Sequence, residues 1–251
     1  MVWRGDAPIA GADRAVAHLR DAGFRVAFMT NNSSGRVGDY IDKLAGFGIA
    51  VEPADMLTSA QAAAALLGTT LARGAKVHTL AGPGVTEALL AAGFELVDDA
   101  GADAVVVGFS RAFDFDRLAR AADIVRAGAR LVATNLDPTY PAAHGLLPGA
   151  GSLVAAVATA SGATPEVAGK PAPATVELVR ARLGDAGIVV GDRPSTDGAL
   201  AAALGWPFAL VLSGVAGTDG EEAVPEPPPP FVAADLAALA PMLIERYVRP
   251  G

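Results

Sequence analysis

The sequence contains no cysteine among its 251 residues. Disulfide bonds, thiol nucleophiles and iron–sulfur clusters are therefore excluded, and a reducing compartment is compatible with the chain. The three histidines show no HxH or HxxxH spacing, which argues against a zinc site. No apolar run approaches the roughly 20 residues that a membrane span needs, and residues 1–11 contain no apolar signal-peptide segment. From these absences we expect a cytoplasmic protein with no membrane partner.

The chain is also poor in basic and aromatic residues. It has 19 Lys and Arg against 27 Asp and Glu, a formal net charge of −8. Nucleic-acid surfaces normally carry a basic patch that faces the phosphates, so we expect no nucleic-acid partner. Aromatic residues make up 6% and apolar residues 52%, which suits alanine-rich helices packed on a sheet. The length fits one large domain or two smaller ones.

Helical and extended patterns alternate along the chain. Apolar spacing predicts a helix over residues 11–23 and another over 36–48, and the apolar run 24–30 between them predicts a buried strand. The same alternation continues through residues 59–166 and again in the last third of the chain. This order is typical of helices packed on a parallel sheet. The sequence therefore predicts an α/β fold.

Polar groups suited to an anion follow the first predicted strand. Parallel α/β sheets bind ligands at the carboxyl ends of their strands. Thr30 and Asn31 stand there, where a hydroxyl and backbone N–H groups can hold an anion near the next helix. Lys170, directly before another predicted helix, adds a positive charge. Each feature alone has an alternative to anion binding. For Thr30 and Asn31 the alternative is a helix cap, and for Lys170 it is a solvent-facing side chain.

Two carboxylates follow a later strand. The apolar run 187–191 ends at Asp192, and Asp197 comes five residues further on. Such oxygens suit Mg²⁺, which typically takes one or two carboxylates together with phosphate and water, although a turn with a helix cap is the alternative. A hydroxyl donor, an ammonium group and a magnesium carboxylate together describe a site for phosphoryl chemistry.

The segment that contains Gly82 and Gly84 partly resembles a dinucleotide-binding loop, which would indicate a dehydrogenase. Gly82 and Gly84 lie between a predicted strand and a predicted helix. The third glycine of the dinucleotide fingerprint is replaced by Glu87, and no acid follows at the expected distance. The segment is therefore interpreted as a tight turn into a helix, and a dehydrogenase is disfavoured.

Six ordered stretches resemble the haloacid dehalogenase superfamily of phosphatases, in its NagD-like, p-nitrophenylphosphatase-like branch (subfamily IIA). These stretches are "RGDAPIAGADRAVAHLRDAGFRVAFMTNNSS", "TSAQAAA", "TNLDPTYP", "LPGAGSLVAA", "AGKPAP" and "VGDRPSTD". The resemblance covers essentially the whole chain. It implies a Rossmann-like parallel-sheet core formed by residues 1–58 and 167–251, with an inserted α/β cap of the C2 type at 59–166.

The resemblance also implies roles in binding the transferring phosphoryl group. Thr30, Asn31 and Asn32 are expected to bind that group. Lys170 is expected to neutralise charge on the nucleophile and the phosphate, and is the catalytic residue expected within the chain. These roles follow from the family's motifs and not from the spacing alone.

Metal and substrate roles are implied in the same way. Asp192 is expected to ligate Mg²⁺, and Asp197 to support the same metal site. Asn135, Asp137 and Thr139 lie in a cap region that is expected to meet the leaving group of the substrate.

The chain departs from the family at its beginning. The family opens with an apolar strand and a DxDG motif, whose first Asp forms an aspartyl-phosphate and whose second Asp is a general acid and base. Alignment by eye places Met1 just after this motif, and Asp6, the nearest acid, follows the motif's place. We therefore expect a mis-assigned start, a missing first core strand, and a chain that is inactive and at best marginally stable as written.

The sequence thus predicts a Mg²⁺-dependent phosphatase that acts on a small phosphorylated metabolite. The alternative is a non-catalytic protein that binds a phosphate ligand, or a regulatory pseudophosphatase. Pyridoxal phosphate, glycerol phosphate, phosphoglycolate, sugar phosphates and nucleotides are all substrates of related enzymes, and the sequence does not choose among them. A homodimer through the cap is a further expectation, because relatives form such dimers.

Overall fold

The computed structural model describes residues 1–99, 101–142, 145–216 and 222–248. The chain divides into two compact units. The first unit comprises Met1–Phe28, Ile41–Asp55 and Val179–Gly251, and the second comprises Met29–Tyr40 and Met56–Leu178. The second unit thus includes residues 29–40, which the sequence assigns to the core. The division into a core at 1–58 and 167–251 and a cap at 59–166 stays a prediction.

Nine α-helices lie within the described residues, mostly where apolar periodicity predicts them. They are α1 (Ala12–Asp21), α2 (Val37–Gly46), α3 (Ser59–Gly68), α4 (Pro83–Ala92), α5 (Phe115–Arg126), α6 (Ala150–Ser161), α7 (Pro173–Leu183), α8 (Ala199–Leu204) and α9 (Leu236–Tyr247). In α1 the predicted apolar face is buried, including Val16 and Leu19. Gly23 follows this helix with φ 89°, a left-handed conformation that favours glycine.

Fourteen short strands occur in the same described ranges. They are β1 (Trp3–Arg4), β2 (Ala7–Pro8), β3 (Phe28–Thr30), β4 (Met56–Thr58), β5 (Lys76–Leu80), β6 (Glu95–Leu96), β7 (Ala104–Val107), β8 (Arg130–Ala133), β9 (Thr139–Ala142), β10 (Gly145–Pro148), β11 (Glu166–Val167), β12 (Val189–Gly191), β13 (Phe208–Val211) and β14 (Phe231–Ala233). The hairpins β1–β2 and β9–β10 are antiparallel and were not predicted. The strands of the first have two residues each, and those of the second each contain a proline.

A five-stranded parallel sheet forms the centre of the second unit. Its strand order is β11-β8-β7-β5-β6. Every residue of β7 is buried, as an uninterrupted Ala and Val run predicts. Ile124 of α5 and Val157 of α6 belong to the apolar cluster on this sheet. Because the strands are parallel, the segments that follow Leu80, Val107 and Ala133 all leave the same edge of the sheet.

The first unit contains a three-stranded parallel sheet of order β12-β13-β14. In this unit α1 packs against α9, whose Leu239 and Leu243 are buried. Among the described strands, β12 pairs only with β13. Within the same set, β3 pairs only with β4. Among the described strands, β3 and β12 are therefore each hydrogen-bonded along one edge only.

Two predicted elements differ from the structure in extent. The strand predicted over 24–30 is extended and paired only at Phe28–Thr30, because its described partner β4 is three residues long. The helix predicted after Asp192 begins with a π-helical turn at Pro194–Gly198, and α8 follows it. Within the described residues, no helix combines the length and the apolar character needed to cross a membrane.

Candidate active site

The segment after β3, residues 30–35, forms two consecutive turns stabilised by side chains. Thr30 Oγ1 accepts the N–H of Asn32 at 3.0 Å. Asn32 Oδ1 accepts both the N–H of Ser34 at 3.0 Å and its hydroxyl at 2.7 Å. Short Thr and Asn side chains favour such turns because they reach backbone groups two residues away. Since Thr30 Oγ1 is the acceptor here, its own hydroxyl hydrogen can be donated to another group.

The side chain of Asn31 clamps the backbone of Lys170. Asn31 Oδ1 accepts the N–H of Lys170 at 2.8 Å, and Asn31 Nδ2 donates to the carbonyl of Lys170 at 3.3 Å. The two residues are 139 positions apart in the chain. The structure therefore brings Asn31 and Lys170 into contact, and Thr30 precedes Asn31 in the chain. The roles of these three residues in phosphate binding stay predictions.

Two further side chains donate hydrogen bonds to the backbone of Asn31. Its carbonyl accepts the hydroxyl of Ser59 at 2.6 Å and the side-chain amide of Asn135 at 2.7 Å. Ser59 opens α3, and a capping box between Thr58 and Gln61 sets the start of that helix. Ser59 and Asn135 are buried, where a satisfied polar contact adds rigidity. Three segments of the chain therefore fix the position of Asn31.

The predicted substrate-contact residues divide into different roles. Asn135 donates to Asn31, as described, and its Oδ1 accepts the N–H of Asp137 at 3.0 Å. Its amide is thus engaged with backbone on both sides. The carbonyl of Asp137 accepts the N–H of Gly151, and Thr139 begins β9. Contact of Asn135, Asp137 and Thr139 with a substrate stays a prediction.

Gly82 and Gly84 let the start of α4 approach the 30–35 segment. The N–H of Gly84 donates to the carbonyl of Ser34 at 3.1 Å. A Cβ on Gly84 would lie 2.0 Å from the carbonyl oxygen of Gly35, and one on Gly82 would lie 2.8 Å from Ser34 Cα. These glycines occur in a tight turn into a helix, as predicted, and the close backbone contact explains why a side chain does not fit.

Tyr40 supports the 30–35 segment from α2. Its phenol hydroxyl donates to the carbonyl of Asn32 at 2.8 Å and accepts the N–H of Gly35 at 3.4 Å. The side chain is 8% exposed. Burial raises the pKa of Tyr40 from 10.0 to about 12, because the charged phenolate is poorly solvated there.

This pKa shift predicts a loss of stability at high pH. The folded state holds the Tyr40 proton more tightly than the unfolded state, so the contribution is complete below pH 10.0 and disappears as the pH rises to about 12. Two pKa units correspond to about 3 kcal/mol. We expect the free-energy difference in unfolding between the native protein and Tyr40→Phe to shrink over this range, measured by urea denaturation. A difference that is independent of pH would contradict the assignment.

In the first unit, Asp192 follows β12 directly. Its Oδ2 accepts the N–H of Val215 at 2.9 Å. Its Oδ1 lies 3.9 Å from the amino nitrogen of Met1. A Cβ on Gly214 would lie 1.8 Å from Asp192 Oδ2, so glycine is required beside this carboxylate. Asp192 thus has one carboxylate oxygen fixed by the backbone N–H of Val215.

Asp197 orients the backbone that carries Asp192. It is 6% exposed, and its Oδ2 accepts the N–H groups of Asp192 at 3.2 Å and Arg193 at 3.1 Å. A Cβ on Gly191 would lie 2.2 Å from the Cβ of Asp197. The bare glycine backbone allows this close return, and the π-helical turn carries Asp197 to it.

The donor set at Asp192 fits Mg²⁺. The described residues contain no group of three or more His, Cys, Asp or Glu placed to hold a metal ion. A zinc or calcium cage needs more protein ligands than this. Magnesium keeps several waters and is commonly held by one or two carboxylates together with substrate phosphate, so Asp192, oriented by Asp197, suffices on the protein side.

A cavity of about 490 Å³ adjoins the 30–35 segment within the second unit. Asn32 and Ser34 line it, together with Arg111, Arg117 and Tyr140. Its size is typical of sites for small metabolites.

Comparison with known proteins decides the family. A sequence model described as haloacid dehalogenase-like hydrolase matches residues 1–95, and one described as HAD-hydrolase-like matches 167–239. The D-glycerol 3-phosphate phosphatase of Mycobacterium tuberculosis is 42% identical over 243 residues, which cover 95% of this chain and 68% of that protein. The chain belongs to the haloacid dehalogenase-like hydrolase family. The first family match begins at residue 1.

Solved structures agree with this assignment. The crystal structure of glycerol phosphate phosphatase from Mycobacterium tuberculosis in complex with magnesium has a TM-score of 0.86 and 41% identity, covering 95% of this chain and 73% of that one. NagD from E. coli K-12 has a TM-score of 0.83 and 28% identity, covering 95% and 94%. The predicted resemblance to NagD-like phosphatases of this hydrolase family is confirmed.

Sequence reasoning missed several residues of this hydrolase that the structure places near the predicted ones. Ser33 is buried and its hydroxyl lies 2.9 Å from that of Thr134. Glu222 accepts the N–H and the hydroxyl of Ser195, at 2.9 and 2.5 Å, and so holds the turn between Asp192 and Asp197. Single Ser and Glu residues carry no sequence signal of their own.

Proposed function

We propose that this hydrolase is a Mg²⁺-dependent phosphatase that acts on a small phosphorylated metabolite. The observation that carries the proposal is the clamp of Asn31 on Lys170, which fixes the backbone of Lys170 to the residue that follows Thr30. Family membership supports it, because the relatives named above are phosphatases. A buried network fixes these groups in advance, as electrostatic stabilisation of a transferring phosphoryl group requires.

Thr30, Asn31 and Asn32 contribute unequally to phosphate binding in this proposal. Thr30 donates its hydroxyl hydrogen to a phosphoryl oxygen. The N–H of Asn32 is already donated to Thr30, so Asn32 acts through the shape of the turn. Asn31 acts by holding Lys170, whose ammonium group neutralises charge on the phosphate.

Asp192 supplies the carboxylate oxygen for Mg²⁺, and Asp197 keeps it oriented. The magnesium-bound structure of the Mycobacterium tuberculosis relative supports this choice of metal. When bound, Mg²⁺ would neutralise phosphate charge and favour attack at phosphorus. The chain's own part is to hold the Asp192 carboxyl group at a fixed place, which the hydrogen bonds from Val215 and to Asp197 provide.

The substrate class follows from the relatives only in outline. Three-carbon phosphates are candidates, because the M. tuberculosis relative is a D-glycerol 3-phosphate phosphatase. The division into a core and an inserted cap, and a dimer through that cap, belong to the same proposal. Light scattering of the purified protein tests the dimer.

None of the chain's acids matches the first Asp of a DxDG motif. We propose that residues 1–251 alone bind substrate with little hydrolysis, because the attacking carboxylate is not among them. The test compares this chain with a fusion in which an apolar strand ending in DxDG precedes Met1. With Mg²⁺ and p-nitrophenyl phosphate, we expect the fusion to be faster by about 10³-fold or more. The control is the fusion with its first Asp changed to Asn.

Each outcome has a clear meaning. Robust Mg²⁺-dependent hydrolysis by residues 1–251 would refute this account of the nucleophile. If both proteins bind phosphate esters and neither hydrolyses them, the non-catalytic alternative is supported. If neither binds phosphate, the phosphatase proposal fails.

A further inference from the structure

Two arginines line the cavity beside the 30–35 segment. Among the described residues that line it, Arg111 and Arg117 are the charged ones, and none of these residues is an acid. The whole protein carries a net charge of −8, so a cavity with two guanidinium groups and no acid differs from the rest of the chain. An arginine fork matches the geometry of a carboxylate or a phosphate.

The two arginines are not equivalent. Arg117, in the first turn of α5, has its Nε 3.9 Å from Oδ2 of Asp114, so part of its charge is balanced. Arg111 forms no ion pair or hydrogen bond with another described residue, and it is exposed to solvent. Its charge is therefore not compensated by any described residue, and its exposure makes it reachable by a ligand.

The position of the cavity relates these arginines to the phosphate site. Asn32 and Ser34 line the cavity, and Thr30 is hydrogen-bonded to Asn32. On another wall, the rings of Phe109 and Tyr140 lie 5.3 Å apart, centroid to centroid. The cavity therefore begins two residues after Thr30, at Asn32, and is the space near Thr30 in which we place the organic part of the substrate.

We propose that Arg111, assisted by Arg117, binds a second anionic group of the substrate. The enzyme then prefers phosphorylated acids to phosphorylated polyols of the same length. This inference rests on the proposed function, since it takes the phosphate to bind at Thr30 and Lys170. The rings of Phe109 and Tyr140 form one wall of the space that the short carbon chain between the two anionic groups would occupy.

The test uses two ligands that differ in one group. 3-Phosphoglycerate has a carboxylate where glycerol 3-phosphate has a hydroxymethyl group. Binding of each to residues 1–251 is measured by calorimetry with Mg²⁺, so that the result does not depend on turnover. We expect 3-phosphoglycerate to bind about 10-fold more tightly, as one charge-assisted pair at an exposed site allows. The preference should fall with added salt, because exposed charges are screened.

Variants separate charge from shape. Arg111→Gln should remove the preference while leaving the affinity for glycerol 3-phosphate and for inorganic phosphate within about two-fold. Arg111→Lys should retain part of it, because a point charge replaces a fork. Arg126→Gln is the matched control. Arg126 lies in the same unit, at the end of α5. It lines neither this cavity nor a second one of about 690 Å³, which Arg111 also lines.

The outcomes distinguish this inference from the function on which it rests. If inorganic phosphate does not bind to the native protein with Mg²⁺, the proposed function itself fails. If phosphate binds but the two esters bind equally, the anionic subsite is wrong. If 3-phosphoglycerate is preferred and Arg111→Gln keeps that preference, the assignment to Arg111 is overturned.

Discussion

Replacing Asp192 with asparagine is expected to weaken Mg²⁺ binding by about 100-fold or more. Loss of a supporting residue around a metal already costs 10–100-fold, and the loss of a charged ligand costs more. The structure gives Asp192 a fixed position, because Val215 donates to one of its oxygens and Asp197 holds its backbone. An asparagine would keep the shape and lose the charge.

The measurement is a Mg²⁺ titration by calorimetry at constant ionic strength. Asp185→Asn is the matched control, because Asp185 is an exposed acid of the same unit and the substitution changes the net charge equally. If both variants bind Mg²⁺ as the native protein does, Asp192 is not the metal ligand. If both lose binding equally, the effect is one of overall charge.

Breaking the clamp on Lys170 is expected to weaken phosphate binding by about 30-fold or more while leaving Mg²⁺ binding unchanged. Asn31→Ala removes both hydrogen bonds to Lys170, each worth roughly 1 kcal/mol, and strands their partners. Gly169→Ala disrupts the same contact by a different route. Its Cβ would lie 2.3 Å from the carbonyl oxygen of Thr134 and 2.9 Å from Asn31 Oδ1.

Phosphate affinity is measured by calorimetry, and folding is checked by urea denaturation. Gly68→Ala is the control for the glycine variant, since a Cβ there would meet nothing within 4 Å. Native-like phosphate affinity in both clamp variants would show that the position of Lys170 does not matter. A variant that also loses Mg²⁺ binding would indicate a general loss of structure.

The strand ends were predictable because their signals are local. An apolar run followed by polar or acidic residues places Thr30 after β3 and Asp192 after β12 without any tertiary information. Helix positions were predictable for the same reason. In α1, the apolar residues of the buried face and the glycine after the helix occur within one short stretch of sequence. The chemical types at the strand ends were therefore available from the sequence.

The roles of the individual side chains were not predictable in the same way. That Asn31 binds phosphate stays a prediction, and nothing in the sequence indicated that its side-chain amide is bonded to a residue 139 positions away. Such a contact depends on how distant segments of the chain pack together, and it produces no periodic pattern in the sequence. Asp197 is a similar case, since its carboxylate returns to the backbone of Asp192 through a π-helical turn that a helix pattern does not reveal.

Arg111 and Tyr140, which line the cavity, were not predicted from the sequence, although Arg111 follows a strand end as Thr30 and Asp192 do. Arg111 follows β7, and this strand end belongs to the same edge of the sheet as that of β8. Tyr140 reaches the cavity from the hairpin β9–β10, whose strands each contain a proline, and proline weakens a strand pattern. The sequence therefore contained a signal for Arg111, its place after a predicted strand, but none for Tyr140.

Calorimetric titration of inorganic phosphate into residues 1–251, with and without Mg²⁺, tests the central claim most directly. That claim is that the chain keeps both the phosphate-binding groups at Thr30 and Lys170 and the magnesium carboxylate at Asp192. We predict saturable binding with one phosphate per chain, and an affinity that rises about 10-fold or more when Mg²⁺ is present, because the metal neutralises phosphate charge. Identical titrations with and without Mg²⁺, or no binding in either, would contradict it.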